Sequence, residues 1–170
     1  MAAYQTIELA RFAPSPGDGR RLELELEPGS FELGGHRYDA EPAEIPARLE
    51  VSRMASGYAL HLSFDAHLDG PCMRCLGDAR AAVAVDAREV DQPGTDDEEL
   101  RSPYVTEGEL DLAAWAHDAL LLALPQQLLC RPECAGLCPV CGESLNDAAP
   151  GAHDHPREPD PRWAKLRELQ

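Results

Sequence analysis

Six cysteines and two of the six histidines carry the distinctive chemistry of this 170-residue chain. Cys130, Cys134, Cys138 and Cys141 fall within "CRPECAGLCPVC". Cys72-Met73-Arg74-Cys75 forms a separate C-x-x-C, and His153 and His155 stand in "AHDHP". Three chemistries use such spacings. Disulfides need an oxidising compartment. The N-terminus, "MAAYQTIELARFAP", has no apolar signal core, so a reduced, cytoplasmic chain is the expectation. Thiol–disulfide exchange at Cys72/Cys75 or Cys138/Cys141 needs a βαβ setting and a helix N-terminus to lower the thiol pKa. The third chemistry is metal binding. Thiolates hold Zn²⁺ tetrahedrally, and a tight turn between paired cysteines supplies two ligands at once.

The ligand set has two solutions. Cys130, Cys134, Cys138 and Cys141 can form one local knuckle, which is the preferred reading. Alternatively, six Cys and two His supply two tetrahedral sites. One would join Cys72 and Cys75 to Cys130 and Cys134; the other would join Cys138 and Cys141 to His153 and His155. Either way the zinc is structural, because four protein ligands leave no position for water or substrate. No G-x-S-x-G, Gly-rich phosphate loop or H-E-x-x-H is present. No catalytic residue is therefore assigned, and the chain is read as a non-enzyme.

The elements that must position these residues are mostly strands. Leu22, Leu24 and Leu26 alternate with Glu23, Glu25 and Glu27. Gly34-Gly35 marks a tight turn in "SFELGGHRYD". Alternation returns through Ala47, Leu49 and Val51, then from Tyr58 to Leu68, and again from Ala81 to Ala87. The pattern predicts an antiparallel sheet of five or six strands, partly barrel-like, with one wet face carrying His61, Asp65, His67 and Asp69. Cys72 and Cys75 would then sit at a hairpin tip. "ELDLAAWAHDALLLALP" predicts one long helix, capped by Asp111 and stopped by Pro125, with Leu112, Trp115, Ala116, Ala119, Leu122 and Ala123 on its packing face. "DPRWAKLRELQ" predicts a short terminal helix. The fold class is thus α+β. Residues 1–125 make a sheet-plus-helix domain with an acidic loop at 91–103, and residues 126–170 a Cys-rich knuckle, a Pro-rich linker and the terminal helix.

The net charge is −16. Residues 86–111 contribute ten acids against Arg88 and Arg101. Such a surface repels a bare phosphate backbone and attracts basic proteins. No apolar run approaches the roughly 20 residues of a membrane span, so no membrane partner is expected.

Three segments resemble the YceD family of large ribosomal RNA subunit accumulation proteins, in its cysteine-rich subgroup. They are "GPCMRCL" at 70–76, the helix at 109–125, and "CRPECAGLCPVCGESLN" with "DPRWAKL". The resemblance implies a cytoplasmic, non-enzymatic ribosome-biogenesis factor that supports accumulation or processing of 23S rRNA. Its gene often neighbours that of a small basic large-subunit ribosomal protein. Cysteine-rich members often carry a C-x-C after the "LN" segment, where this chain has His153-Asp154-His155. That replacement keeps a metal-ligand pair or marks a lost one. Resemblance and charge together suggest a basic ribosomal protein or large-subunit assembly intermediate as partner, with rRNA contact indirect. The alternatives are a direct rRNA-binding zinc knuckle using Arg131, Arg157, Arg162, Lys165 and Arg167, and a thiol-disulfide oxidoreductase.

Overall fold

The computed structural model describes residues 6–156. The expected helix at 160–170 lies outside them, as do Arg157, Arg162, Lys165 and Arg167. The main sheet has six antiparallel strands: β2 (Gly19–Leu26), β3 (Ser30–Leu33), β4 (His36–Glu41), β5 (Ile45–Arg53), β6 (Tyr58–Pro71) and β7 (Asp78–Asp91). Its spine is the β6–β7 hairpin, 14 residues on each arm and in unbroken register from Tyr58↔Asp91 to Pro71↔Asp78. The other edge of β6 serves two partners in succession. It pairs with β5 along Tyr58–Phe64 and with β4 along His67–Asp69.

The sheet therefore forks into two wings, β5–β2 and β4–β3. Among the described residues β2 pairs only with β5 and β7 only with β6, so no ladder closes the sheet into a barrel.

The alternation read from the sequence becomes burial. Leu60, Leu62, Phe64, Ala66 and Leu68 are all buried, while Asp65 and His67 are exposed. On the wet face His61 lies between Asp86 (3.1 Å) and Glu50 (3.7 Å), and Arg80 meets Asp69 at 3.1 Å. These exposed pairs are each worth at most about 1 kcal/mol; this face is solvated sheet.

The helix α2 (Leu112–Leu122) covers the dry face. Asp111 caps it by accepting the Ala114 N–H at 2.9 Å. Leu112, Trp115, Ala116, Ala119 and Leu120 are buried. The expectation for Leu122 fails: it is 86% exposed, although it shares the Trp115 face. Nothing in the sheet reaches over that last turn.

A second sheet was not legible in the sequence. β1 (Thr6–Glu8), β8 (Val105–Thr106) and β9 (Glu109–Asp111) pair in the order β1-β9-β8. Strands of two and three residues are too short to show periodicity. They seat Ile7 and Leu110 in the core and lead into α2. A four-residue helix α1 (Leu9–Phe12) follows β1. The acidic loop is ordered around a single 3₁₀ turn, Glu98–Leu100.

Two glycines are required by close approach. A Cβ on Gly57 would sit 1.9 Å from the Asp91 carbonyl oxygen, and one on Gly70 would sit 2.2 Å from the Tyr38 ring. Tyr38 is buried, so its ring cannot swing away freely. Gly70→Ala should cost about 1–3 kcal/mol through overpacking. Urea unfolding would measure it, with exposed Leu122→Ala as a control that changes little.

Candidate metal centres

The β6–β7 hairpin turns through Cys72–Gly77, so the first C-x-x-C sits at its tip. The Cys72 N–H donates to the Gly77 carbonyl at 2.7 Å, and the Leu76 N–H to the Cys72 carbonyl at 2.9 Å. The loop at the second C-x-x-C repeats this pattern. The Cys138 N–H donates to the Glu143 carbonyl at 2.8 Å, and the Gly142 N–H to the Cys138 carbonyl at 2.9 Å. Leu76 and Gly142 hold the same position in their loops, and both have positive φ, 60° and 76°. Glycine adopts that conformation without strain, whereas leucine does not. The sequence hid the equivalence because only one loop shows its glycine there.

These are two copies of one backbone device. Each turns N–H groups toward the sulfur of its first cysteine. Burial pushes the Cys72 thiol up, but main-chain N–H groups of Cys130, Arg74 and Cys75 outweigh it and bring it to about 6. The N–H groups of Cys141 and Val140 draw Cys138 down to about 7.

The structure divides the cysteines of 130–141 between two groups; they do not gather as one four-sulfur set. Cys130 and Cys134 reach back to Cys72 and Cys75, while Cys138 and Cys141 meet His153 and His155. Within each group the donor atoms all lie within 4.8 Å of one another. The separation follows from chain geometry. Residues 128–134 run against the hairpin tip, where the Met73 N–H donates to the Leu128 carbonyl at 2.9 Å. Gly136 then turns the chain away at φ 80°.

In the first group, Cys72 and Cys134 sulfurs are 3.7 Å apart, and those of Cys75 and Cys130 3.6 Å. A disulfide is about 2.05 Å; all six cysteines are free. A tetrahedral ion with metal–sulfur bonds of about 2.3 Å would place sulfurs about 3.8 Å apart, so these distances fit. In the second group Cys141 Sγ lies 3.3 Å from His153 Nδ1. His155 Nε2 is buried without a hydrogen-bond partner. A buried imidazole nitrogen left unpaired is costly unless something occupies it. Both donor sets could hold a metal ion.

The thiols also repel one another's charge. Burial and its neighbours Cys75, Cys134 and Cys72 push Cys130 up to about 12. Cys141 accepts the Glu143 N–H, which lowers it, yet burial and Cys138 leave it raised. Each group thus sets lowered thiols against a raised one: Cys72 and Cys134 against Cys130 in the first, and Cys138 against Cys141 in the second. A divalent cation removes that conflict.

Two supporting residues had no signal in the sequence. Asn146, beyond the second knuckle, donates Nδ2 toward Cys134 Sγ at 3.5 Å and accepts the Ala135 N–H at 2.9 Å. Burial pushes Cys134 up, but the Gly136 N–H and Asn146 outweigh it and leave the thiol lowered. Arg74, inside the first knuckle, donates to the Cys134 carbonyl at 3.1 Å and to Gln127 at 3.3 Å. Arg131, exposed at the surface, donates to the Asn146 carbonyl at 2.6 Å. Neither C-x-x-C heads a helix, the setting that thiol exchange uses to activate its nucleophile.

No helix among the described residues is long and apolar enough to cross a membrane. No solved structure matches the chain. Uncharacterized proteins of Mycobacterium bovis and Mycobacterium tuberculosis are 33% identical over 175 residues, covering 99% of this chain and 83% of theirs. One from Mycobacterium leprae is 36% identical over 103 residues, covering 58% of this chain and 46% of its own length. The family described as Large ribosomal RNA subunit accumulation protein YceD matches residues 60–170, which hold all six cysteines and both metal-group histidines, and the chain belongs to that family.

Proposed function

We propose that this protein is a non-catalytic assembly factor supporting accumulation of large-subunit ribosomal RNA. Two structural zinc ions would brace its frame, and its acidic surface would hold a basic ribosomal protein or assembly intermediate. The observation that carries this reading is the placement of charge. Of the ten acids in residues 86–111, only Asp91 is buried and Glu89 half-buried; the other eight are exposed. They line the end of β7, the 92–104 loop and the β8–β9 turn. A surface of that sign steers basic partners toward it and keeps phosphate backbones off.

Zinc suits both donor sets: four thiolates in one, two thiolates and two imidazoles in the other. Neither leaves a position for substrate, so the ions would serve folding. The scale is right for that role. Residues 123–156 contain no helix or strand beyond the Leu137↔Ser144 bridge. Ordering each residue costs about 1–2 kcal/mol, so burying Leu128, at about 1.5–3 kcal/mol, offsets only one or two of them. A structural zinc supplies on the order of 10 kcal/mol.

Reduced, freshly purified protein should therefore carry two zinc ions by elemental assay. Cys75→Ser should lose one and Cys141→Ser the other. Cobalt exchanged into each variant should give the distinct absorption of S₂N₂ or S₄ ligation. Zinc-free protein with six titratable thiols would remove the zinc reading. Asn146→Ala should speed zinc release from the four-cysteine site alone, timed with a chromogenic chelator, while the second site keeps its rate.

Partner binding is checked separately, by titrating purified basic large-subunit ribosomal proteins against the chain. Affinity should fall roughly tenfold or more between 0.1 and 1 M salt, as the screening length shrinks from about 10 to about 3 Å. Replacing Asp96, Asp97, Glu98 and Glu99 by amides should weaken binding in the same direction. Binding indifferent to both changes would sink the reading.

A further inference from the structure

β7 pairs with β6 along its whole length and with no other strand among the described residues. Its second edge presents main-chain N–H and C=O groups to any extended chain. Natural sheets blunt such edges with proline, charged side chains (lysine above all) or a bulge. β7, "DARAAVAVDAREVD", has no proline, no lysine and no break in register, and its two arginines are tied in ion pairs, Arg80 to Asp69 and Arg88 to Asp86.

A groove of about 460 Å³ follows this edge. Ala84 to Glu89, six consecutive residues, line it. Alternate side chains leave a strand on opposite faces, so a groove that touches all six runs along the edge itself. Its far wall is α2, through Trp115, Ala119, Leu122 and Ala123. Leu122 is two turns beyond Trp115 and shares its face. Trp115 is 2% exposed and Leu122 86%. The apolar stripe of α2 thus continues past the sheet into an uncovered groove.

Charge selects what would cover it. Two acids, Asp86 and Glu89, line the groove, and Asp118 reaches Tyr104 in its wall at 3.1 Å. Its one cation, Arg88, is tied to Asp86 at 2.8 Å. A nucleic-acid backbone would be repelled, and so would a second copy carrying −16. A segment alternating basic and apolar residues matches the site: apolar side chains reach Leu122 and the helix wall, and basic ones face Asp86 and Glu89. We infer that the β7 edge and the end of α2 accept an extended basic segment of the partner as an added strand. The inference rests on the basic-partner reading above and deepens it by naming the surface.

The probe is a synthetic peptide alternating lysine with valine. One control replaces lysine by glutamate, and another is N-methylated at alternate residues to remove donors but keep charge. Binding is read by fluorescence anisotropy, and the contact by hydrogen exchange of β7 amides. The lysine peptide should bind and slow exchange within 82–90; both controls should fail. Leu122→Lys, at an exposed position that leaves the fold intact, should weaken binding roughly tenfold, as loss of an interface anchor does. Unchanged β7 exchange, or equal affinity for the N-methylated peptide or for Leu122→Lys, would mean that acids alone hold the peptide. That overturns the edge surface and leaves the basic-partner reading standing. Protection of β7 that rises with protein concentration in the absence of peptide would make a second copy the occupant, and also overturns it. If the lysine peptide fails while a basic ribosomal protein still binds, the edge alone is refuted; if neither binds, both readings fall.

Discussion

The tail of this protein depends on one constraint: four sulfurs brought together from positions far apart in the chain. Cys72 and Cys75 stand at the tip of the longest hairpin, and Cys130 and Cys134 arrive from beyond the helix. The sulfurs of Cys72 and Cys134 are 3.7 Å apart across 62 residues of sequence. Thiolates at that distance resist joint ionisation, so the closure is stable only if they stay protonated or share a cation. The described residues after 125 take their place from this junction. Leu128 enters the common core, Arg74 ties down Gln127 and Cys134, and Gly136 turns the chain toward the second knuckle.

The second group is built differently. Its donors all come from within residues 138–155, so it closes no long loop. It is also more open, with Cys141 exposed and Cys138 alone buried. The two groups still communicate through Asn146, which follows the second knuckle but donates toward a sulfur of the first. The Leu145 N–H adds a bond to the Gly136 carbonyl at 2.9 Å. A cation in the second group would therefore hold in place the segment that supports the first.

The sequence revealed the parts of this fold that repeat over several residues. β2, β5, β6 and β7 follow from alternation, and the β3–β4 turn from Gly34-Gly35, both at positive φ. Asp111 and the helix were legible because capping and periodicity are local. Whatever rests on distant partners was not. The three-stranded sheet joins residues 6–8 to 105–111 through elements too short to carry a pattern. The open sheet results from β4 and β5 sharing one edge of β6, a matter of register that alternation leaves undetermined. The cysteines show the same limit. Spacing singled out eight candidate donors, but proximity along the chain favoured grouping Cys130 with Cys141, whereas the backbone turn at Gly136 separates them. Asn146 gave no sign at all, since an asparagine in a loop is ordinary until its neighbours are known.

Metal groups and acidic surface sit at different parts of the β6–β7 hairpin, which bears on how the protein can act. The first sulfur group gathers at the Cys72–Gly77 tip, and the acids begin midway along β7 at Asp86 and continue past its far end at Asp91. At about 3.4 Å per residue, Asp86 lies roughly 27 Å along β7 from its tip end and Asp91 about 44 Å. A cation at the tip is screened from those acids over several Debye lengths, so it cannot neutralise them. A cation held by the donor groups and negative charge on the outer surface would then do separate work. The first would fix the segment that carries Cys130 and Cys134 to the sheet. The second stays free to attract, and the neighbouring uncovered end of α2 supplies the apolar contact that charge alone lacks.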